Sequence, residues 1–233
     1  VVAGAAVLLA IGGVLLIPMW GLGVPLIIIG AFAPVPGILW RRRAAVDDEK
    51  GDARERLLEE CLRPLLQLAA STTSHARVER VRTMESAAVQ ASRDLRNAFA
   101  DIAGVRVVVF KISDDGTQMV PYPPAGRQSR PGPFVRGTGR GDKAFAVLEG
   151  PDPFVIVEDL TKAQPSEWQG TGDGYRTFIS APIRTIDDGL GLLTLDAPTP
   201  GVLDARHGST LALFAAALGV LFAEAMRGGG GPS

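Results

Sequence analysis

Few side chains in this 233-residue sequence could do chemistry unaided, and their spacing narrows what they can do. Cys61 stands alone, so neither a disulfide within the sequence nor a cysteine-rich zinc site can form from it. The two histidines, His75 and His207, offer little material for a metal centre, and both are expected at the surface. No nucleophile elbow, HExxH or complete phosphate loop is present. Gly137-Thr138-Gly139-Arg140-Gly141-Asp142-Lys143 opens a helix and could offer backbone N–H groups to an anion. It lacks the GxxxxGKS/T spacing and follows no clear strand, so a flexible loop is the alternative. Asp159 and Asp196 each end a β-rich run, where a carboxylate either meets a ligand or closes a turn. These residues carry no catalytic constellation, no metal site and no cofactor, and the protein is expected not to be an enzyme.

The elements that must position these residues follow from periodicity. Leu58, Cys61, Leu62, Leu65 and Leu68 recur at mostly three- and four-residue steps, a helix that Pro64 should kink. On this helix Cys61 faces the apolar side and is expected to pack. Ser71-Thr72-Thr73-Ser74 supplies cap residues for a second helix carrying Val81, Met84, Ala88, Ala91, Leu95 and Ala98. That heptad-like seam can pack on its own domain or pair with a second copy. From Val105 the period changes to that of strands. Val105–Ile112 reads as a central strand, and Gln118–Tyr122 as an edge strand because it contains Pro121. After a Gly-, Pro- and Arg-rich loop (Ala125–Arg140) come a short helix (Asp142–Glu149) and the strands Phe154–Glu158, Thr177–Arg184 and Leu190–Asp196. Gly191, inside the last of these, implies close approach by another element, the long helices being the candidates. A final helix runs from about Leu203 to Met226, and its apolar face should cover the sheet. A membrane span is the rival reading for it.

Three runs resemble a GAF domain. Phe154-Val155-Ile156-Val157-Glu158-Asp159-Leu160 is similar to that family's strand ending in Asp, and Phe178-Ile179-Ser180-Ala181-Pro182-Ile183-Arg184 to its small-apolar-Pro-apolar strand. Gly189-Leu190-Gly191-Leu192-Leu193-Thr194-Leu195-Asp196-Ala197-Pro198 resembles its closing strand. The resemblance covers about Ala91–Met226. It implies an α+β fold, an antiparallel sheet of five or six strands flanked by helices, with small-molecule binding between the open sheet face and the loops. It also implies dimerisation through the first and last helices. The Asn-Lys-Phe-Asp-Glu pattern of cyclic-nucleotide-binding members is absent, Cys61 lies too far upstream to attach a bilin, and one thiol cannot perform the exchange of the methionine-sulfoxide reductase members. Alternation puts Phe178 and Ser180 on one face of their strand, with Thr194 and Asp196 matching them on the next. These four, with Phe134, Phe145, Ile156, Asp159 and Tyr175, are the candidate ligand contacts. Trp168 is a further aromatic on the loops.

The N-terminus sets the organisation of the whole chain. Residues 1–40 contain no Asp, Glu, Lys, Arg or His. That is too long for one span of about 20 residues and right for two, broken at Pro18-Met19-Trp20-Gly21-Leu22-Gly23. Trp20 and Trp40 mark opposite faces, about 30 Å apart at helical rise. Arg41-Arg42-Arg43 puts that end in the cytoplasm. The expected organisation is a two-span transmembrane hairpin with its Arg cluster (1–43), a helical linker (44–74), a GAF-like domain (75–227) and a disordered tail (228–233). The sequence begins with Val, so residues upstream are expected. No ionisable group lies in the spans, which suits an anchor rather than a conduction path. The net charge of -1 gives no reason to expect nucleic acid. The expectation is a multi-pass cell-membrane protein whose cytoplasmic domain binds a small molecule, mediates homodimerisation or does both, and passes its signal to a protein partner. Two alternatives remain, a membrane effector worked by the domain and a ligand-free dimerising anchor.

Overall fold

A computed structural model describes residues 58–72, 74–162 and 174–227. The expected membrane hairpin, the first part of the linker, Trp168 and the tail lie outside the described residues. A π-helical turn, Leu58–Leu62, runs into helix α1, Arg63–Thr72. Pro64 has no N–H to give the preceding turn, which accounts for the wider winding before it. Ser71 and Thr72, expected to cap the next helix, instead close this one. Both hydroxyls donate to the Leu68 carbonyl, at 2.9 and 2.5 Å. Helix α2, Arg77–Ala98, starts later, from Ala76, with no side-chain cap.

The sheet has β1 (Arg106–Ile112), β2 (Gln118–Pro121), β4 (Phe134–Val135), β5 (Val155–Val157), β6 (Thr177–Arg184) and β7 (Gly189–Ala197) in the order β4-β2-β1-β7-β6-β5. All pairs are antiparallel, and the two-residue β3 (Ala125–Gly126) pairs with β1 off this path. Helix α3 spans Gly139–Glu149 and α4 spans Ala205–Met226. This is the α+β arrangement the sequence implies.

The two sheet faces follow from register. Val107 opposes Leu195, Val109 opposes Leu193, and Ile179 and Ala181 continue the row on β6. All are buried in the main core with α1, α2 and α4. On the other face Val108, Phe110 and Leu192 form a smaller core with Met119 and with Ala144, Phe145 and Leu148 of α3. Four of the six seam residues of α2 are buried within this domain, Met84, Ala88, Ala91 and Leu95 at no more than 2% exposed, while Val81 is half-buried and Ala98 exposed. Leu65 and Ala69 of α1 are buried in the same core.

Helix α4 is long and apolar enough to cross a membrane, the one such helix among the described residues, yet it lies mostly buried against β6, β7, α1 and α2. Small residues allow the close fit, since a Cβ at Gly219 would lie 2.7 Å from the Arg184 carbonyl oxygen. Gly191 has a different neighbour from the helices expected. A Cβ there would overlap the Phe110 carbonyl of β1, so strand pairing itself requires the glycine. Arg80 ties the two ends of the domain together. It donates to the carbonyls of His75 at the entry to α2 and of Glu224 and Arg227 at the end of α4, at 2.8–2.9 Å.

Candidate ligand-binding site

The face of the sheet turned away from α4 carries a cavity of about 690 Å3. Its floor comes from alternate residues of three central strands: Arg106, Val108 and Phe110 of β1, Phe178 and Ser180 of β6, Thr194 and Asp196 of β7. The walls are the loop of residues 129–132, α3 and the stretch from Gly150 to Val155, with Tyr175 beside Phe178. Its volume lies within the range of roughly 300–1,000 Å3 usual for small-molecule sites.

Six of the nine sequence candidates line this cavity: Phe134, Tyr175, Phe178, Ser180, Thr194 and Asp196. The other three lie elsewhere, each for a local reason. Phe145 points from α3 into the smaller core at 1% exposed, with the Arg136 guanidinium 3.7 Å from its ring centre. Ile156 is one residue out of phase with the cavity-lining Val155 and packs toward the main core. Asp159 closes a turn. Its Oδ1 accepts from the amide and the hydroxyl of Thr161, and its other oxygen pairs with Lys162 at 3.1 Å. The Thr161 bonds, then Lys162, hold its carboxyl below the usual value.

Asp196 is a pillar of the site. Arg106 donates to its Oδ2 from Nε and Nη2 at 2.9 and 2.7 Å, and Arg127 donates to Oδ1 at 2.7 Å. The remaining Arg106 nitrogen reaches the Ser129 carbonyl at 2.7 Å and hydroxyl at 3.0 Å, which anchors the loop wall to the floor. Burial pushes the Asp196 carboxyl upward while both arginines pull against it. With both oxygens accepting, the group serves as a carboxylate. The opposite wall is tied by Arg184, whose guanidinium donates to the carbonyls of Gly150, Pro151 and Asp152.

Hydrophobic patterning had no access to the cations. Arg106, Arg130, Arg140 and Lys143 all line the cavity. Arg106 opens a mainly apolar strand, and only its register opposite Asp196 reveals the pair. Arg140 and Lys143 lie in the glycine-rich motif, two of whose backbone N–H groups are taken up by side chains of the motif itself. The Thr138 hydroxyl accepts from Gly141, and the Asp142 carboxylate from Gly137. What the motif presents to the cavity is side-chain charge.

No protein-family model and no curated protein matches the chain. Solved structures do. The free methionine-R-sulfoxide reductase of Neisseria meningitidis, in complex with its substrate, superposes with a TM-score of 0.53 at 17% identity over 72% of this chain and 89% of that one. A putative GAF sensor protein from Burkholderia vietnamiensis gives 0.51 at 16% identity over 72% and 92%. A structure described as that of the GAF domain gives 0.50 at 18% identity over 71% and 87%. The first of these corrects the expectation that the protein is not an enzyme, because an enzyme is among the structures that share its fold. A search for familiar catalytic motifs could not see this, since the fold houses catalysis as well as sensing. At these identities the likeness is one of fold, and the described residues of this chain form a GAF-like domain.

Proposed function

We propose that this protein is a membrane-anchored sensor whose GAF-like domain binds a small molecule in the cavity over β1, β6 and β7. The observation that carries the reading is the cavity itself, with an apolar and aromatic floor and a few convergent polar groups. The two apolar stretches within residues 1–40, followed by Arg41–Arg43, support anchorage with the domain in the cytoplasm. A protein partner would carry the signal onward.

A homodimer is part of the proposal, through a surface other than the α2 seam. Leu213 and Val220, seven residues apart on α4, are 43% and 48% exposed, and Val78 on α2 is 65% exposed. Light scattering on the purified chain should return twice the monomer mass, and a monomer at high concentration would remove this part.

The ligand reading is tested by thermal shift of the whole chain, in detergent, against a broad panel of metabolites. A compound at a hundred times its Kd should stabilise the domain by about 2.7 kcal/mol. Ser180→Trp, which fills the cavity, should abolish the response. Silence across the panel would overturn the reading.

A further inference from the structure

Resting on the reading of the cavity as a ligand site, its charges narrow the class of ligand. The acids of the lining are Asp152 and Asp196. Asp196 is fully engaged by Arg106 and Arg127, and Arg106 spends its remaining nitrogen on Ser129. Asp152 is exposed at the rim. Arg140 is in another position. Its guanidinium lies 4.0 Å from the Phe134 ring centre, and Nη1 donates to the carbonyls of Gly132 and Pro133 at 3.2 and 2.9 Å. Among the described residues no carboxylate pairs with it. Burial disfavours its charge, and the nearby Arg106 guanidinium does so further, with only Tyr175 acting the other way. Arg130, exposed on the facing loop, adds to the positive field at the mouth, and Lys143, one helical turn along α3, also lines it. A half-buried cation without a counter-ion, close to a second cation, is a place an anion would stabilise.

The floor adds two further requirements. Val108, Phe110 and Phe178 are apolar and call for an apolar body. Ser180 is 8% exposed and lines the cavity, and among the described residues no side chain bonds its hydroxyl, which is open to a ligand's polar atom. We propose that the ligand is an amphipathic oxyanion, a ring-bearing apolar body over Phe178 and Val108 with a carboxylate or phosphate group held by Arg140. A planar guanidinium recognises either group through paired hydrogen bonds.

The test uses the whole chain in zwitterionic lipid nanodiscs, with empty nanodiscs titrated alongside to subtract partitioning. Three probes sharing one ring system are compared by calorimetry: 2-naphthoate, 2-naphthyl phosphate and the neutral 2-naphthamide. At least one anion should bind tenfold or more tighter than the amide, and which one does so separates a carboxylate site from a phosphate site. Arg140→Gln should reduce that anion to the amide's affinity and flatten its salt dependence, while its thermal midpoint reports that it is folded. Lys143→Gln should weaken the same anion by a smaller factor. The proposal is overturned if the amide binds as tightly as both anions, if folded Arg140→Gln leaves them unchanged, or if neither anion binds. Neutral metabolites that stabilise the wild type but not Ser180→Trp would then leave the cavity a ligand site of another class. Silence of the metabolite panel as well would remove both readings.

Discussion

At the scale of single residues, the site rests on one buried carboxylate between two guanidiniums. The side chains of Asp196 and Arg106 are 9% and 8% exposed, so both charges have lost most of their water and depend on each other. Asp196→Ala would leave Arg106 buried and unpaired. It should cost about 3–5 kcal/mol in urea unfolding, the usual penalty for breaking a buried pair from one side. A loss below 1 kcal/mol would mean that water reaches Arg106 freely. This network also shows where the sequence could be read and where it could not. Alternation on β6 and β7 placed Phe178, Ser180, Thr194 and Asp196 on one face without any structure, because a pleated strand leaves no choice. Arg106 was missed because its partner lies 90 residues away, and periodicity carries no information on register.

At the scale of elements, α4 decides how the sheet is covered. Its first turn is held by Asp204, whose Oδ1 accepts from the amides of Arg206 at 2.9 Å and His207 at 3.1 Å. The His207 ring completes the cap, its Nδ1 3.1 Å from the Asp204 amide and 2.7 Å from the carboxylate. It donates to the carboxylate when that nitrogen is protonated and accepts from the amide when it is not. His207 is thus a capping residue, a role invisible without knowing where the helix starts. Burial raises the Asp204 carboxyl, but the His207 and Arg206 contacts outweigh it and hold the group below its usual value. The depressed value fixes the sign. The carboxylate's contribution is present above about pH 4, the unfolded carboxyl range, and is lost as pH falls through the lower folded value. Asp204→Ala should therefore cost about 1 kcal/mol at neutral pH. The gap to wild type should close below about pH 4. Thermal midpoints across pH 2–8 check both, and a gap unchanged at pH 2 would rule out the carboxylate as its source. Helix existence was legible from the apolar pattern, whereas the Gly219 contact with Arg184 depends on which strand lies beneath.

At the scale of the whole molecule, the proposed topology makes its own claim. Replacing Arg41–Arg43 with Glu should shift a fraction of molecules to the opposite orientation, because Lys and Arg near span ends set direction. Protease protection of the domain in sealed vesicles measures that fraction, and full retention of the original orientation would assign direction to other residues. Deleting 1–43 should move the chain from the membrane to the soluble fraction. The Arg80 clasp has a consequence of another kind. Because one guanidinium holds the carbonyls of both His75 and Arg227, the polypeptide enters α2 and leaves α4 through the same corner. Domains with neighbouring ends can be spliced into a host loop with little disturbance. The stretch from α2 to α4 leaves and rejoins one corner, so an insertion or tandem copy of it needs to carry only α1 besides, the helix that fills the same core.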